Sequence, residues 1–111
     1  MNSKQKGARG ERQWAKFCRD QGFADCRRGQ QYNGLDGEDV VGLPEIHVEV
    51  KRVERLNIND AMFQSQCDAQ GKIPIVAHRK NDDVWLVTMN AYDWFKLYKE
   101  WYSGKLVEGG Y

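Results

Sequence analysis

The stretch from Glu38 to Lys51 constrains this chain most: Glu-Asp-Val-Val-Gly-Leu-Pro-Glu-Ile-His-Val-Glu-Val-Lys. Two short apolar runs lie either side of Gly42 and Pro44, residue types that punctuate strands with turns. Along an extended strand successive side chains alternate faces. Val48 and Val50 therefore point one way, and Glu49 and Lys51 point the other. A bend around Gly42 to Pro44 brings Asp39, at the mouth of the first run, onto the same patch. Two carboxylates and an ammonium then converge. Mg²⁺ takes oxygen ligands and is usually held by one or two carboxylates. At a phosphodiester it polarises a phosphate oxygen and lowers the pKa of bound water. An exposed edge strand with an ordinary Glu–Lys pair uses the same letters without any chemistry, and Asp39 upstream brings the two readings level. His47 shares the Glu49–Lys51 face and reads as a surface strand histidine at the edge of the patch.

The N-terminal segment supports the same patch. Gly7 to about Gln21 has the pattern of a helix stopping near Gly22, with Trp14, Phe17 and Cys18 marking its inward face. Glu11 precedes Trp14 by three residues and Cys18 by seven, which places a carboxylate on the inward side of the first turns. A buried carboxylate needs a partner, a metal or a raised pKa. A glutamate favoured by the helix macrodipole is the alternative. Arg9, Arg12, Lys16 and Arg19 recur at helical spacing as one basic stripe, which a solvated helix face also explains.

The formal net charge is +1, but residues 1–35 hold eight Lys/Arg against three Asp/Glu and the remainder is acidic. That asymmetry, rather than the total, points weakly to nucleic acid. Arg27 and Arg28, followed by a polar loop from Gly29 to Gly37, form a candidate phosphate-contacting segment. Such contacts position a substrate without reading its bases.

One hundred and eleven residues suit a single domain, 1–111, with one core. Hydrophobic content and four Trp argue against disorder. No run approaches the roughly 20 apolar residues of a membrane span, and the N-terminus has no signal-peptide pattern. Cys18, Cys26 and Cys67 are odd in number and widely spaced, as expected of reduced thiols in a cytoplasmic protein.

The remaining pattern predicts strands over 23–28 and 73–78, and over 84–89 after a polar turn. It predicts helices over 58–70, with Ile58, Ala61, Met62 and Ala69 inward, and from Asn90 onward, with Asp93 completing the cap. The expected order is α-β-β-β-α-β-β-α, an α/β fold with a mixed central sheet flanked by helices. In the last helix Ala91, Trp94, Phe95, Tyr98, Trp101 and Tyr102 form a wide aromatic face, expected to be mostly core with a share left for a dimer interface.

These residues resemble a family. Asp39-x9-Glu49-x-Lys51 looks like the PD-(D/E)xK nuclease motif, with Glu38 where a proline usually stands. Lys6-Gly7-Ala8-Arg9-Gly10-Glu11-Arg12 is similar to the Lys-Gly-x-x-x-Glu-Arg opening of archaeal-type Holliday junction resolvases. Arg55-Leu56-Asn57-Ile58, Gln64, Ile73 to Arg79 and Trp85-Leu86-Val87-Thr88 resemble small phage proteins of that superfamily. The resemblance implies a restriction-endonuclease-like fold and a Mg²⁺-dependent DNA endonuclease, with Mn²⁺ as substitute. It implies that Asp39 and Glu49 hold the metal with the Val50 carbonyl, that Lys51 assists the water and the transition state, and that Glu11 and Gln64 complete the site. Lys6, Arg9, Arg12, Lys16, Arg27 and Arg28 would meet DNA.

A four-way junction is the substrate the resemblance favours, with roles in DNA recombination and, for a phage protein, the host cytoplasm. Two symmetric cuts imply a C2 homodimer. A nicking or repair nuclease of the same fold, and a non-catalytic DNA-binding module, are the rivals. Asp36 replaces Asp39 as ligand if the register slips.

Overall fold

In a computed structural model of the protein, the described residues are 3–29 and 39–108, with the side chains of 3–6 excepted. Helix α1 (Ser3–Asp20) begins earlier than Gly7, since Lys4, Gln5 and Lys6 are good helix formers. Its inward stripe is Gly10, Trp14, Ala15 and Cys18. Phe17 is 40% exposed and stacks on Trp14 from the rim, with ring centroids 5.6 Å apart. The helix closes in a Schellman arrangement, Phe23 N–H donating to the Cys18 carbonyl at 3.1 Å and Gly22 N–H to that of Arg19 at 3.0 Å.

Strands β1 (Arg27–Arg28), β2 (Val40–Val41), β3 (Ile46–Lys51), β4 (Ile73–His78) and β5 (Leu86–Met89) form one sheet in sequential order. Helix α2 (Ile58–Asp68) connects β3 to β4, the one parallel pair; the others are antiparallel. A parallel pair needs such a crossover, and a helix commonly supplies it. The element order is α-β-β-β-α-β-β-α, as expected. The first strand is shorter than the expected 23–28, because a turn bonding Cys26 N–H to the Phe23 carbonyl occupies residues 23–26.

The two faces of the sheet differ. On the α1 face Trp14, Ala15 and Cys18 pack with Cys26, Val40, Val48, Val50, Ile75 and Ala77 into the main core. On the other face α2 presents Ala61 and Ser65, both buried, with Ala69 buried just past its end. Small side chains let a helix lie close to a sheet. Ser65 uses that proximity, its hydroxyl donating to the Ile75 carbonyl at 2.9 Å.

Helix α3 (Ala91–Val107) corrects an expectation. Its cap is as anticipated, the Asn90 side chain accepting from Asp93 N–H at 2.9 Å. Its aromatic face, however, is not core. Trp94, Phe95, Tyr98, Trp101 and Tyr102 are all exposed, and Asp93 is the buried residue of the helix. The reason is topological: α1 and α2 already cover the sheet, so α3 touches the other elements only sparsely. The radius of gyration, 15.2 Å, accordingly exceeds the about 13 Å typical of a compact chain of this size. Among the described residues no helix is long and apolar enough to cross a membrane.

Candidate metal-binding carboxylate site

The hairpin of β2 and β3 positions the first carboxylate. Val40 pairs with Val48, and the turn between the strands needs Gly42: its φ is +110°, and an added Cβ would lie 2.6 Å from the Cys26 Cα. Asp39 is held from three sides. Its N–H donates to the Val48 carbonyl at 3.2 Å, and its carbonyl accepts from Gly29 N–H at 2.9 Å. Its carboxylate Oδ2 accepts from Val50 N–H at 2.8 Å. The carboxyl lies against β3, where the hairpin argument puts it.

Burial raises the Asp39 pKa to about 6, partly offset by the Val50 N–H. The charge of Glu49 and a hydrogen bond with it push the value further up, while Lys51 pulls it down. Glu49 itself is 4% exposed. Glu11 belongs to the same electrostatic group. Its pKa is raised, chiefly by burial and also by the charge of Asp39, against a hydrogen bond from Arg28 Nε at 3.1 Å. Gly10 explains how α1 approaches so closely: a Cβ there would sit 2.8 Å from the Arg52 Cβ, just past β3. Arg52 secures that junction, donating to the Gln13 side chain at 3.0 Å and the Arg79 carbonyl at 3.3 Å.

His47 requires a correction, since it is a buried residue, 2% exposed, and not a surface strand histidine. Alternation puts it on the Glu49 face, and α2 covers that face; its Nε2 lies 3.4 Å from Glu49 Oε1. Asp68, at the end of α2, joins them, with one ligand atom from each of the three residues within 4.8 Å of the others. The helical spacing of Asp68 from Ala61 and Ser65 carried this signal, which the search for apolar positions passed over.

The other expected site residues are more dispersed. Gln64 is exposed on α2 beside the buried Ser65. The basic stripe of Arg9, Arg12, Lys16 and Arg19 is exposed on α1, but half of it is engaged. Lys16 pairs with Asp20 at 2.9 Å, and Arg19 donates to the Cys26 carbonyl at 2.7 Å. Arg27 donates to the Asp25 carbonyl at 3.3 Å, and Arg28 is spent on Glu11. The Lys6 side chain, Asp36, Glu38 and most of the loop after Gly29 lie outside the described residues.

Among the described residues the donors whose ligand atoms all lie within 4.8 Å of one another are His47, Glu49 and Asp68, and the carboxylates of Glu11 and Asp39 stand outside that group. Glu11, Asp39 and Glu49 offer oxygen ligands, and the raised pKa values of Glu11 and Asp39 mark carboxylates that are costly to ionise without a nearby positive charge. No family model, curated protein or solved structure matches the chain.

Proposed function

We propose that the protein is a metal-dependent DNA endonuclease acting on branched DNA. The observation that carries this reading is the half-buried Asp39 carboxylate lying against β3 beside the buried Glu49, with Lys51 next on the same strand face. Asp39 and Glu49 would hold Mg²⁺ or Mn²⁺, with the Val50 carbonyl as a further donor. The bound ion supplies Lewis-acid polarisation of the phosphate and a more acidic water.

The chain's own groups do the rest. Lys51 orients the attacking water and offsets charge that builds on the phosphate. Glu11, tethered by Arg28, closes the acidic pocket on the α1 side, and Gln64 lines its approach from α2. Arg9 and Arg12, exposed on α1, contact DNA phosphates together with Lys6, Lys16 and Arg27, while Arg28 is kept on Glu11. These contacts fix the position of the duplex without reading its sequence. Paired cuts at a four-way junction call for two copies, and the exposed aromatic face of α3 is the surface on which they would meet.

The test is incubation of labelled four-way junction and matched linear duplex with the protein and Mg²⁺ or EDTA, alongside Lys51→Ala. Paired, metal-dependent cuts confined to the junction and lost in the variant are the expected result. Cleavage of both DNAs keeps the site and replaces the substrate with nicked, flapped or linear DNA. Binding without cleavage, in Mn²⁺ as well, overturns the nuclease reading in favour of a binding module.

A further inference from the structure

We propose that His47, Glu49 and Asp68 form a second divalent-metal site on the α2 face of β3, suited to a transition ion such as Zn²⁺ or Mn²⁺. Glu49 is common to this site and the proposed nuclease pocket, but the inference does not rest on that reading, in which neither His47 nor Asp68 takes part.

Three observations carry it. First, the donors come from two packed elements and already converge: their ligand atoms lie within 4.8 Å of one another. Second, the His47 Nε2 to Glu49 Oε1 distance of 3.4 Å is longer than the 2.7–3.2 Å of a well-formed N–H···O hydrogen bond. It does match the edge of a tetrahedron built from metal–ligand bonds of about 2.1 Å, which is about 3.4 Å. Third, His47 and Glu49 are buried, whereas Asp68 is half-buried at the last residue of α2. Asp68 is thus the ligand nearest solvent, and the other two are held by the central strand.

The donor chemistry selects the ion. One imidazole nitrogen with two carboxylate oxygens lies between the all-oxygen sets that suit Mg²⁺ and the nitrogen- and sulfur-rich sets that suit softer ions. With three protein ligands, a position remains open to water or to a phosphate oxygen, as in catalytic rather than structural zinc sites. Because Glu49 is also an electrostatic neighbour of Asp39, an ion here would sit beside the nuclease pocket and share a carboxylate with it.

The chain has two histidines, which makes the test direct. Zn²⁺ is titrated into the full chain while the imidazole resonances of His47 and His78 are followed by NMR. His78 serves as the internal reference for the fold, since its Nε2 lies 2.8 Å from the Thr88 hydroxyl on β5. The expected result is a saturable shift of the His47 signals alone, and selective broadening of the same signals by Mn²⁺. Asp39→Asn keeps the His47 response, whereas Asp68→Ala weakens Zn²⁺ binding by about 10-fold or more with the His78 signals unmoved.

An unresponsive His47 in the wild-type chain overturns the site. So does a response that Asp68→Ala leaves intact, or one that disappears in Asp39→Asn, which would assign the ion to the nuclease pocket. If junction cleavage fails while the His47 response stands, the nuclease reading falls and this site remains.

Discussion

Strand β3 sets His47, Glu49 and Lys51 among three apolar residues and buries all but its two ends, which stay half-exposed. Helix α3 carries Trp94, Phe95, Tyr98, Trp101 and Tyr102 and leaves each of them at least 40% exposed. Side-chain polarity alone would assign the two elements the opposite way round. The difference lies in their neighbours. β3 is the central strand, flanked by β2 and β4 and covered by a helix on each face, so any side chain at its middle positions is enclosed. α3 follows the edge strand β5, after both faces are taken. Its rings stack instead on one another at i,i+4 spacing, Trp94 on Tyr98 at 5.3 Å and Tyr98 on Tyr102 at 6.2 Å. Such pairs stabilise a helix that gains little from tertiary packing. Buried polarity in β3 makes that strand the candidate site, and the exposed aromatic face of α3 is the surface on which the proposed dimer would form.

The contrast is broken most severely at the carboxylates. On the proposed nuclease reading, Glu49→Gln and Lys51→Ala are each expected to lower junction cleavage by on the order of 100- to 1000-fold with little loss of folded protein. Cleavage kinetics together with circular dichroism check this. Residual activity within about 5-fold of wild type would remove β3 from the chemistry, since loss of one transition-state contact costs far more than that.

Asp39 separates function from stability. Its folded pKa of about 6 lies above the ordinary value of 3.8, so the folded state binds the proton more tightly than the unfolded chain. Between those values the folded state holds more protons than the unfolded state. Stability therefore falls as pH rises from about 4 to about 6, by up to about 3 kcal/mol. Asp39→Asn, which retains an acceptor for Val50 N–H, is expected to recover about 1–3 kcal/mol at pH 7.5 in EDTA. Urea unfolding at several pH values measures it, and a variant less stable than wild type at pH 7.5 contradicts the assignment.

Packing gives the next effect. Val48 has no exposed surface, and Val48→Ala is expected to cost about 1–3 kcal/mol through lost transfer energy and the cavity left behind. On α3 the corresponding change should do almost nothing to the monomer. Trp101 is 54% exposed, and Trp101→Ala is expected to alter unfolding free energy by under about 0.5 kcal/mol. It is expected to weaken self-association by about 10-fold or more, as anchor tryptophans do. Sedimentation equilibrium of the two proteins reads that out, and a wild-type chain that stays monomeric with and without junction DNA removes the dimer.

Much of the fold was legible in the letters. Continuous apolar runs at 73–78 and alternation at 46–51 became β4 and β3, Gly42 became the hairpin turn, and Asn90 with Asp93 became the cap of α3. Of the site, Asp39 and Glu49 could be brought together by counting alternation across one short turn, and Glu11 by helical spacing. Two features could not be read that way. Helical spacing puts Asp68 on the inward face of α2, but which strand that face meets depends on the crossover returning α2 over the sheet, a long-range placement that no local pattern encodes. The pairing of Arg28 with Glu11 likewise joins α1 to β1 across 17 residues, turning an expected DNA contact into an internal tether.

By itself the sequence determined what depends on near neighbours along the chain: the element order, the turns and caps, and the alternation that sets Glu49 apart from Val48 and Val50. The tertiary structure alone decided how many elements cover each face. That count buried His47 and drew Asp68 to it, and it left the aromatic face of α3 in water. The physical reason is that hydrogen-bonded local geometry acts within a few residues, whereas burial depends on every element that arrives at a surface, from any distance along the chain.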